Sequence, residues 1–577
     1  MSKYNKLELT WFNKDKVLIW DNKKKDYIWV NPEDIRVAEI RILKEKKKIG
    51  EPNSVWNSEK RKWIVSEKKV PKEEQNLLIK GDNLIGLKAI EDDFTSKVKL
   101  IYIDPPFNTG SRVNADGEEV GYDDGLEHSI WLSMMKDRLE ILRKLLSNDG
   151  VIFVHIDNHE IGHLKVLMDE IFLRKNFVQI ISEKRASPAG FKTINPGPLT
   201  VTDYILMYAK DKDYFIWKPH YVPVDYDENY NLIIVNPNDN PAKWKFKNIE
   251  EMVYEKFGFK SWKDAKKEWG QDWKLIRGSM CGTIALENSE RVVSIRDPHK
   301  PSQKIKELLA KSKEERDKVF VIEREKHENI YILNGGSLSF YKNKIREIDG
   351  EKVPTEILTD LWDDINYAGI AKEGGVTFKN SKKPEKLLRR IIELGSEEGD
   401  WVLDSFAGSG TTGAVAHKMG RKWIMVEMAK HADTHCVPRL KAVIEGKDQD
   451  KYAYGGGFVY YDLGDSLFKT DDTGIVSLTF DNGDLIESVC KIEGFKFIGR
   501  EFLEKTPLHG VINGKRYCHI TEELVTQDLV DQLALEINEE ESLVIYCMKK
   551  LSKLELPQNI QIKKIPRDVV KRFKLVS

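Results

Sequence analysis

Over 577 residues the chain holds only five cysteines, Cys281, Cys436, Cys490, Cys518 and Cys547, none in a Cys-x-x-Cys pair or another metal-ligand spacing. That excludes a disulfide scaffold and a zinc-cysteine module, and it fits a reduced, cytoplasmic interior. No apolar segment follows Met1 as a secretory leader would, and no run reaches the roughly eighteen apolar residues of a membrane-spanning helix. An excess of either charge is also missing: 93 lysines and arginines face 94 acids, a net charge of −1. A global field for nucleic acid is thereby excluded, so any such surface must be a local patch. What the chain has in quantity is length and charge, with 32% of residues Asp, Glu, Lys or Arg, which predicts a soluble protein of three or four domains.

Residues 1–70 alternate short apolar runs, KVLIW and DYIWV, with lysine-rich stretches such as KEKKK, and predict a β-rich N-terminal appendage. From 71 to 210 strand and helix alternate: NLLIK, GDNLIGLKAIEDD, VKLIYI, then the helical SIWLSMMKDRLEILRKLLSNDG before VIFVHI. Strands apolar almost throughout belong to a parallel sheet covered on both faces. HEIGHLKVLMDEIFLRK continues as helix and TDYILMYAK as a late strand. The alternation lapses between 211 and 370, where Trp, Tyr and Lys crowd into AKWKFKN and FGFKSWKDAKKEWGQDWKLIRG, the composition of an inserted domain. It returns over 371–445 in KKPEKLLRRIIELGS, DWVLDSFAGSGTTGAVAHKMG and KWIMVE, so one sheet is expected from two separated pieces of chain. The stretch 446–577 carries short strand-like runs and a basic end, KKIPRDVVKRFKL.

Two short motifs stand out. Asp104-Pro105-Pro106-Phe107 closes the strand VKLIYI. Two prolines, without N–H groups and with fixed φ, turn the chain from the sheet as a stiff bend, beyond the carboxyl end of a strand where ligands of open α/β sheets collect. Taken alone, it is more simply a strand terminator with a solvated acid and a packed ring. In the second motif Gly408, Gly410 and Gly413 fit G-x-G-x-x-G between a strand and a helix, and Glu427 ends the next strand nineteen residues after Gly408. An acid there accepts hydrogen bonds from both ribose hydroxyls of an adenosine-containing ligand. A bare βα turn, a nicotinamide dinucleotide site and an S-adenosylmethionine site stay open on these residues; a P-loop is disfavoured because GSGTTG has no phosphate-binding lysine.

Together, Asp104–Phe107 and Phe406-Ala-Gly-Ser-Gly410 resemble the paired motifs of amino-group DNA methyltransferases. Asp-Pro-Pro-Phe stands before the glycine loop, the order of the β class, and the likeness extends to GDNLIGL (81–87), GVIFVHIDNHEIGHLKVLMDEIF (150–172) and KKPEKL (382–387). More narrowly, length, motif wording and the large insertion are similar to the modification (Mod) subunits of type III restriction-modification systems. The resemblance implies an α/β, Rossmann-like S-adenosylmethionine-dependent methyltransferase fold in permuted order. Its halves would be 71–210 and 371–445, with a target-recognition domain at 211–370 and additions at 1–70 and 446–577. It implies Asp104, Pro105, Pro106 and Phe107 as catalytic residues and no metal. For the cofactor it implies Phe406, Gly408 and Gly410 as lining, Glu427 on the ribose, Asp82 at the adenine edge, and Asp404 and Lys383 as second contacts near the methionine portion or the loop that holds it. Lys383 reads equally as a solvated helix start with Pro384 at the first helical position.

The chemistry follows from the amine. An exocyclic adenine nitrogen is a poor nucleophile because its lone pair is delocalised into the ring. If the Asp104 carboxylate and the Pro105 carbonyl accept its two N–H groups, the pair is redirected at a methyl group held in line roughly 3 to 3.5 Å away. The ammonium product is acidic enough to lose its proton without a strong base. Phe107 offers a flat face for a base flipped out of double-stranded DNA. By resemblance, Asp in first position is typical of adenine-N6 enzymes and Ser of cytosine-N4 enzymes, which favours adenine and keeps cytosine-N4 as the alternative. A nicotinamide-dependent oxidoreductase would use the glycine loop and Glu427 but leaves 104–107 unexplained. A non-catalytic DNA-binding subunit would have degenerate motif acids, and these are intact. Lys184, Arg185 and Lys192 in the loop 184–198 are a candidate phosphate clamp near the flipped base, and read equally as an ordinary surface loop. A homodimer and a separate helicase-nuclease restriction subunit are the partners the resemblance implies.

Overall fold

Uninterrupted apolar runs become the buried strands of one ten-stranded sheet. Its strands are β1 (Leu43–Gly50), β2 (Asn76–Lys80), β3 (Val98–Ile103), β4 (Leu146–Ile156), β5 (Phe177–Lys184), β6 (Thr202–Ala209), β7 (Leu361–Trp362), β8 (Trp401–Asp404), β9 (Lys422–Glu427) and β10 (Gly457–Leu463). Their order is β7-β5-β6-β4-β3-β8-β9-β2-β10-β1. The six strands from β4 to β10 in that order are mutually parallel, whereas β6 and β1 run antiparallel to their neighbours. The computed structural model describes residues 8–21, 26–32, 34, 37, 41–71, 74–108, 127–186, 198–325, 327–348, 350–378, 382–428, 430–448, 454–464, 468–470, 476–478 and 482–565.

The sheet interleaves two pieces of chain: β8 and β9, from beyond residue 400, lie between β3 and β2. Residues such as Ile101, Leu403 and Ile424 are fully buried there, which is what a parallel sheet with helices over its faces requires. Helices α1 (Asn83–Phe94), α2 (His128–Leu145), α3 (Ile161–Met168), α4 (Glu385–Gly395), α5 (Thr411–Lys418) and α6 (Val437–Ile444) supply the cover. In α4 the buried Leu387, Leu388, Ile391 and Ile392 recur at helical spacing and form its core stripe. Each buried aliphatic side chain of this kind stabilises the fold by about 2 to 5 kcal/mol against truncation to alanine.

The chain forms two compact units, one of residues 1–217 with 360–577 and one of residues 218–359. Three expected boundaries change. Residues 1–70 are not an appendage: β1 pairs with β10, Leu18 is buried in the main core, and the Trp11 indole donates to Ser133 Oγ at 2.8 Å. The lysines of KEKKK decorate that edge strand, where charge discourages pairing with another chain. The segment after 445 also contributes, since β10 lies inside the sheet; residues 482–565 then build a five-stranded sheet with its own apolar cores. The insertion is shorter than 211–370, because β7 pairs with β5 and buries Trp362. By itself, unit 218–359 holds a three-stranded and a six-stranded antiparallel sheet, with four helices at 249–256, 262–269, 273–287 and 303–314. Tyr230, Ile233, Val253, Cys281 and Tyr341 belong to its core.

Candidate active site

Parallel register brings the two motifs to one rim. Ile101 of β3 lies opposite Leu403 of β8, so Asp104 and Phe406 each follow that pair by three residues. On the other flank Glu427 of β9 lies opposite Lys80, and Gly81 N–H donates to the Glu427 carbonyl at 3.0 Å. Four chain reversals, after β2, β3, β8 and β9, therefore gather at the carboxyl ends of neighbouring parallel strands.

The proline bend is pinned from below. The indole of buried Trp131, on α2, donates to the Pro106 carbonyl at 2.8 Å, and Pro105 is itself buried. Asp104 Oδ1 forms an ion pair with Lys383 Nζ at 3.1 Å, without hydrogen-bond alignment. The same ammonium stands 4.8 Å from the centre of the Phe107 ring, within cation–π range. Lys383 thus lies against the Asp-Pro-Pro-Phe bend. Its neighbour Lys382 is buried and donates to the carbonyls of Ala371, Glu373 and Val376, holding the 371–378 loop; burial and the Arg439 charge lower its pKa to about 8. Pro384 is the N-cap of α4 rather than its first helical residue.

The glycine turn is organised by two acids. Buried Asp404 accepts from the Phe406 N–H at 2.9 Å through Oδ1 and from the Thr412 hydroxyl at 2.5 Å through Oδ2. Burial raises its pKa to about 7, against the lowering effect of those two donors and with a further rise from the charge of Asp104. Asp404 is therefore an internal tie of the turn, the loop expected to hold the methionine portion. Glu427 reaches across so that its Oε2 accepts from Gly408 N–H at 2.6 Å. Gly408 and Gly410 have φ of +52° and +77°, the left-handed region that favours glycine. They differ in surroundings: a Cβ on Gly410 would meet the Cys436 backbone at 3.1 Å, whereas one on Gly408 would meet only the Phe406 carbonyl at 3.9 Å and otherwise enter open space. Buried Arg439 donates to Thr411 Oγ1 at 2.7 Å and pairs with Glu385, bracing the turn from behind.

Asp82 caps α1, accepting from Ile85 N–H at 3.1 Å, and pairs with Arg138 at 3.2 Å. It lines a cleft of about 420 Å³ with Lys80, Gly81, Ile85, Met428 and Asp462. Glu427, which holds the glycine turn, directly precedes Met428 of that cleft.

A buried polar network beneath the bend was not anticipated from sequence. His155 of β4 is stacked on Phe107 at 5.9 Å between ring centres, and its Nδ1 is 3.2 Å from the Tyr102 hydroxyl. Its Nε2 is 3.5 Å from both Glu183 and Asp203, and all three residues are essentially fully buried. Tyr367 donates to Glu183 at 2.8 Å. Burial raises the pKa of Glu183, while at Asp203 the same burial is outweighed by His155 and the charges of Lys383 and Arg185, which hold it low. The signal available was a histidine and two acids inside otherwise apolar strands. Of the expected phosphate clamp, Lys184 is exposed and Arg185 lies 3.4 Å from Asp203, while Lys192 lies outside the described residues.

A family model described as DNA methylase matches residues 98–435. The HindVI Mod subunit of Haemophilus influenzae, described as a probable type III restriction-modification enzyme subunit, is 36% identical over 420 residues, covering 67% of this chain and 54% of its own. The type III EcoPI Mod subunit of Escherichia phage P1 is 29% identical over 396 residues, covering 60% of this chain and 55% of its own. The chain thus spans about half the length of these relatives. Among solved structures, TTHA0409 of Thermus thermophilus, complexed with S-adenosyl-L-methionine, aligns with a TM-score of 0.29 and 16% identity over 67% of this chain and 98% of its own.

Proposed function

The chain belongs to the DNA methylase family, and from that premise we propose that it is an S-adenosylmethionine-dependent adenine-N6 methyltransferase of double-stranded DNA, the modification subunit of a type III restriction-modification system. The observation that carries this reading is the register of β3 and β8, which sets Asp104 and the glycine turn side by side at one rim.

The residues at the rim fit the cofactor. The open space beside Gly408, the carboxylate of Glu427 and the cleft at Asp82 are features suited to a methionine chain, a ribose and an adenine. The carboxylates of Glu427 and Asp82 are acceptors of the kind a ribose and an adenine amine require. S-adenosylmethionine supplies, when bound, an electrophilic sulfonium methyl. Asp104 and the Pro105 carbonyl accept the two N–H groups of the target amine and turn its lone pair outward. Trp131 keeps the bend rigid through Pro106 rather than Pro105, so this acceptor geometry is set before the base arrives. Phe107, stacked on His155 and with the Lys383 ammonium 4.8 Å from its ring centre, is the aromatic contact proposed for the flipped base. Lys383 supplies the counter-charge of Asp104 and orients it through Oδ1. The resemblance of an Asp-first motif supports adenine over cytosine, and the two Mod relatives support the restriction-modification role.

Unit 218–359 is proposed to read the target, because it is the piece inserted between the catalytic halves. A homodimer, a separate restriction subunit and a cytoplasmic location complete the reading; among the described residues no helix is long and apolar enough to cross a membrane. Mapping modified bases in DNA from cells expressing the chain tests it: N6-methyladenine at one short recurrent sequence is expected, and N4-methylcytosine or unmodified DNA would contradict it.

A further inference from the structure

One cluster outside the rim has the composition of a metal site. Glu160 is the N-cap of α3, His163 is one turn further along that helix, and His128 is the first residue of α2. Glu160 Oε1 is 2.8 Å from His128 Nδ1, and Oε2 is 3.1 Å from His163 Nδ1. One ligand atom from each residue lies within 4.8 Å of the other two. The Asn108 side-chain amide donates to Glu160 Oε1 at 2.7 Å, so the group also touches the chain just after Phe107.

Burial is what asks for a cation. The Glu160 side chain is 0% exposed, and among the described residues its partners are this amide and the two imidazoles, with no lysine or arginine. A carboxylate withdrawn from water is costly unless positive charge accompanies it. The histidines, by contrast, are 65% and 47% exposed, which leaves a path for an ion and room for water in its remaining positions. We propose that His128, Glu160 and His163 bind a divalent transition-metal ion, zinc first. Two imidazoles and one carboxylate suit zinc and its neighbours, whereas calcium and magnesium prefer oxygen alone. Ligands about 2.0 to 2.1 Å from a tetrahedral ion stand roughly 3.4 Å apart, so the two nitrogen–oxygen separations above would have to open by a few tenths of an ångström to admit it, which the exposed imidazoles can do. Asn108 plays the outer part, fixing the carboxylate as such partners do in metal sites. The ion would pin the first turns of α2 and α3 together beside Asn108, next to the Asp-Pro-Pro-Phe bend. This inference does not depend on the methyltransferase reading.

The test uses the full chain, stripped with a chelator and titrated with zinc chloride by calorimetry, alongside thermal unfolding with and without zinc. The control is the double variant His128→Ala/His163→Ala, whose side chains are exposed enough that folding is not at stake. One saturable equivalent and a raised Tm in the wild type, both lost in the double variant, are expected. Equal uptake by both proteins would assign the zinc elsewhere, and no uptake by the wild type would mean that the cluster is closed by a proton alone. Either result overturns the assignment.

Discussion

Asp404 turns the glycine loop into a pH-dependent element. Its carboxyl is buried and bonded to the Phe406 N–H and the Thr412 hydroxyl, and burial raises its pKa from 3.8 to about 7. The sign follows from where the proton resides. Below the unfolded value of about 3.9 both states hold it and nothing is lost. As pH rises toward 7 the unfolded chain releases the proton while the folded chain keeps it, so stability falls by about 1.4 kcal/mol per pH unit and levels off above 7. The upward shift of about three units is therefore worth about 4 kcal/mol, on the order of a third of a typical domain's stability. Asp404→Asn keeps an acceptor for Phe406 N–H and turns an amide toward Thr412, whose oxygen then accepts, but it cannot titrate. Urea unfolding of both proteins between about pH 5 and 8 isolates the effect, because all other groups cancel in the difference. The wild type should lose stability relative to the variant across that window, most steeply below 7. A difference that stays constant with pH would refute the reasoning.

Lys383→Met should lower kcat for methyl transfer by about tenfold or more while leaving cofactor affinity nearly unchanged, because its ammonium lies on Asp104 and Phe107; steady-state kinetics beside equilibrium cofactor binding separates the two effects. His155→Ala should destabilise the catalytic unit by about 3 to 5 kcal/mol in urea titrations, since it strands Glu183 and Asp203 in the interior. Ile101→Ala, at the β3–β8 seam, should cost about 2 to 5 kcal/mol by the same assay.

Much of this fold was legible because buried parallel strands must be apolar throughout. NLLIK, VKLIYI, VIFVHI, DWVLD and KWIMVE all became strands of the central sheet, and the interleaving of two distant pieces followed from the pattern lapsing and returning. What escaped was the edges. LKEKKKIG carries no apolar alternation because an edge strand is exposed along most of its length, so β1 read as basic surface. GFVYYDL read as a strand but not as part of this sheet, since pairing between residues 76–80 and 457–463 leaves no local trace. At the rim, the side-by-side placement of Asp104 and the glycine turn was foreseen, but the partners of individual side chains were not. Asp404 faces inward to the turn, and Lys383 lies against the bend, because hydrogen bonds are settled by backbone geometry that spacing alone does not contain. His155, Glu183 and Asp203 come from three strands and meet only when β4, β6 and β5 align.

The central claim is that the proline bend performs the transfer while the glycine turn holds the methyl donor. Purified full-length chain and its Asp104→Ala variant, given radiolabelled S-adenosylmethionine and double-stranded DNA, test it most directly, with cofactor binding measured in parallel. The account predicts label in DNA for the wild type, and for the variant cofactor bound about as well but no label transferred. Transfer by the variant at the wild-type rate would contradict it.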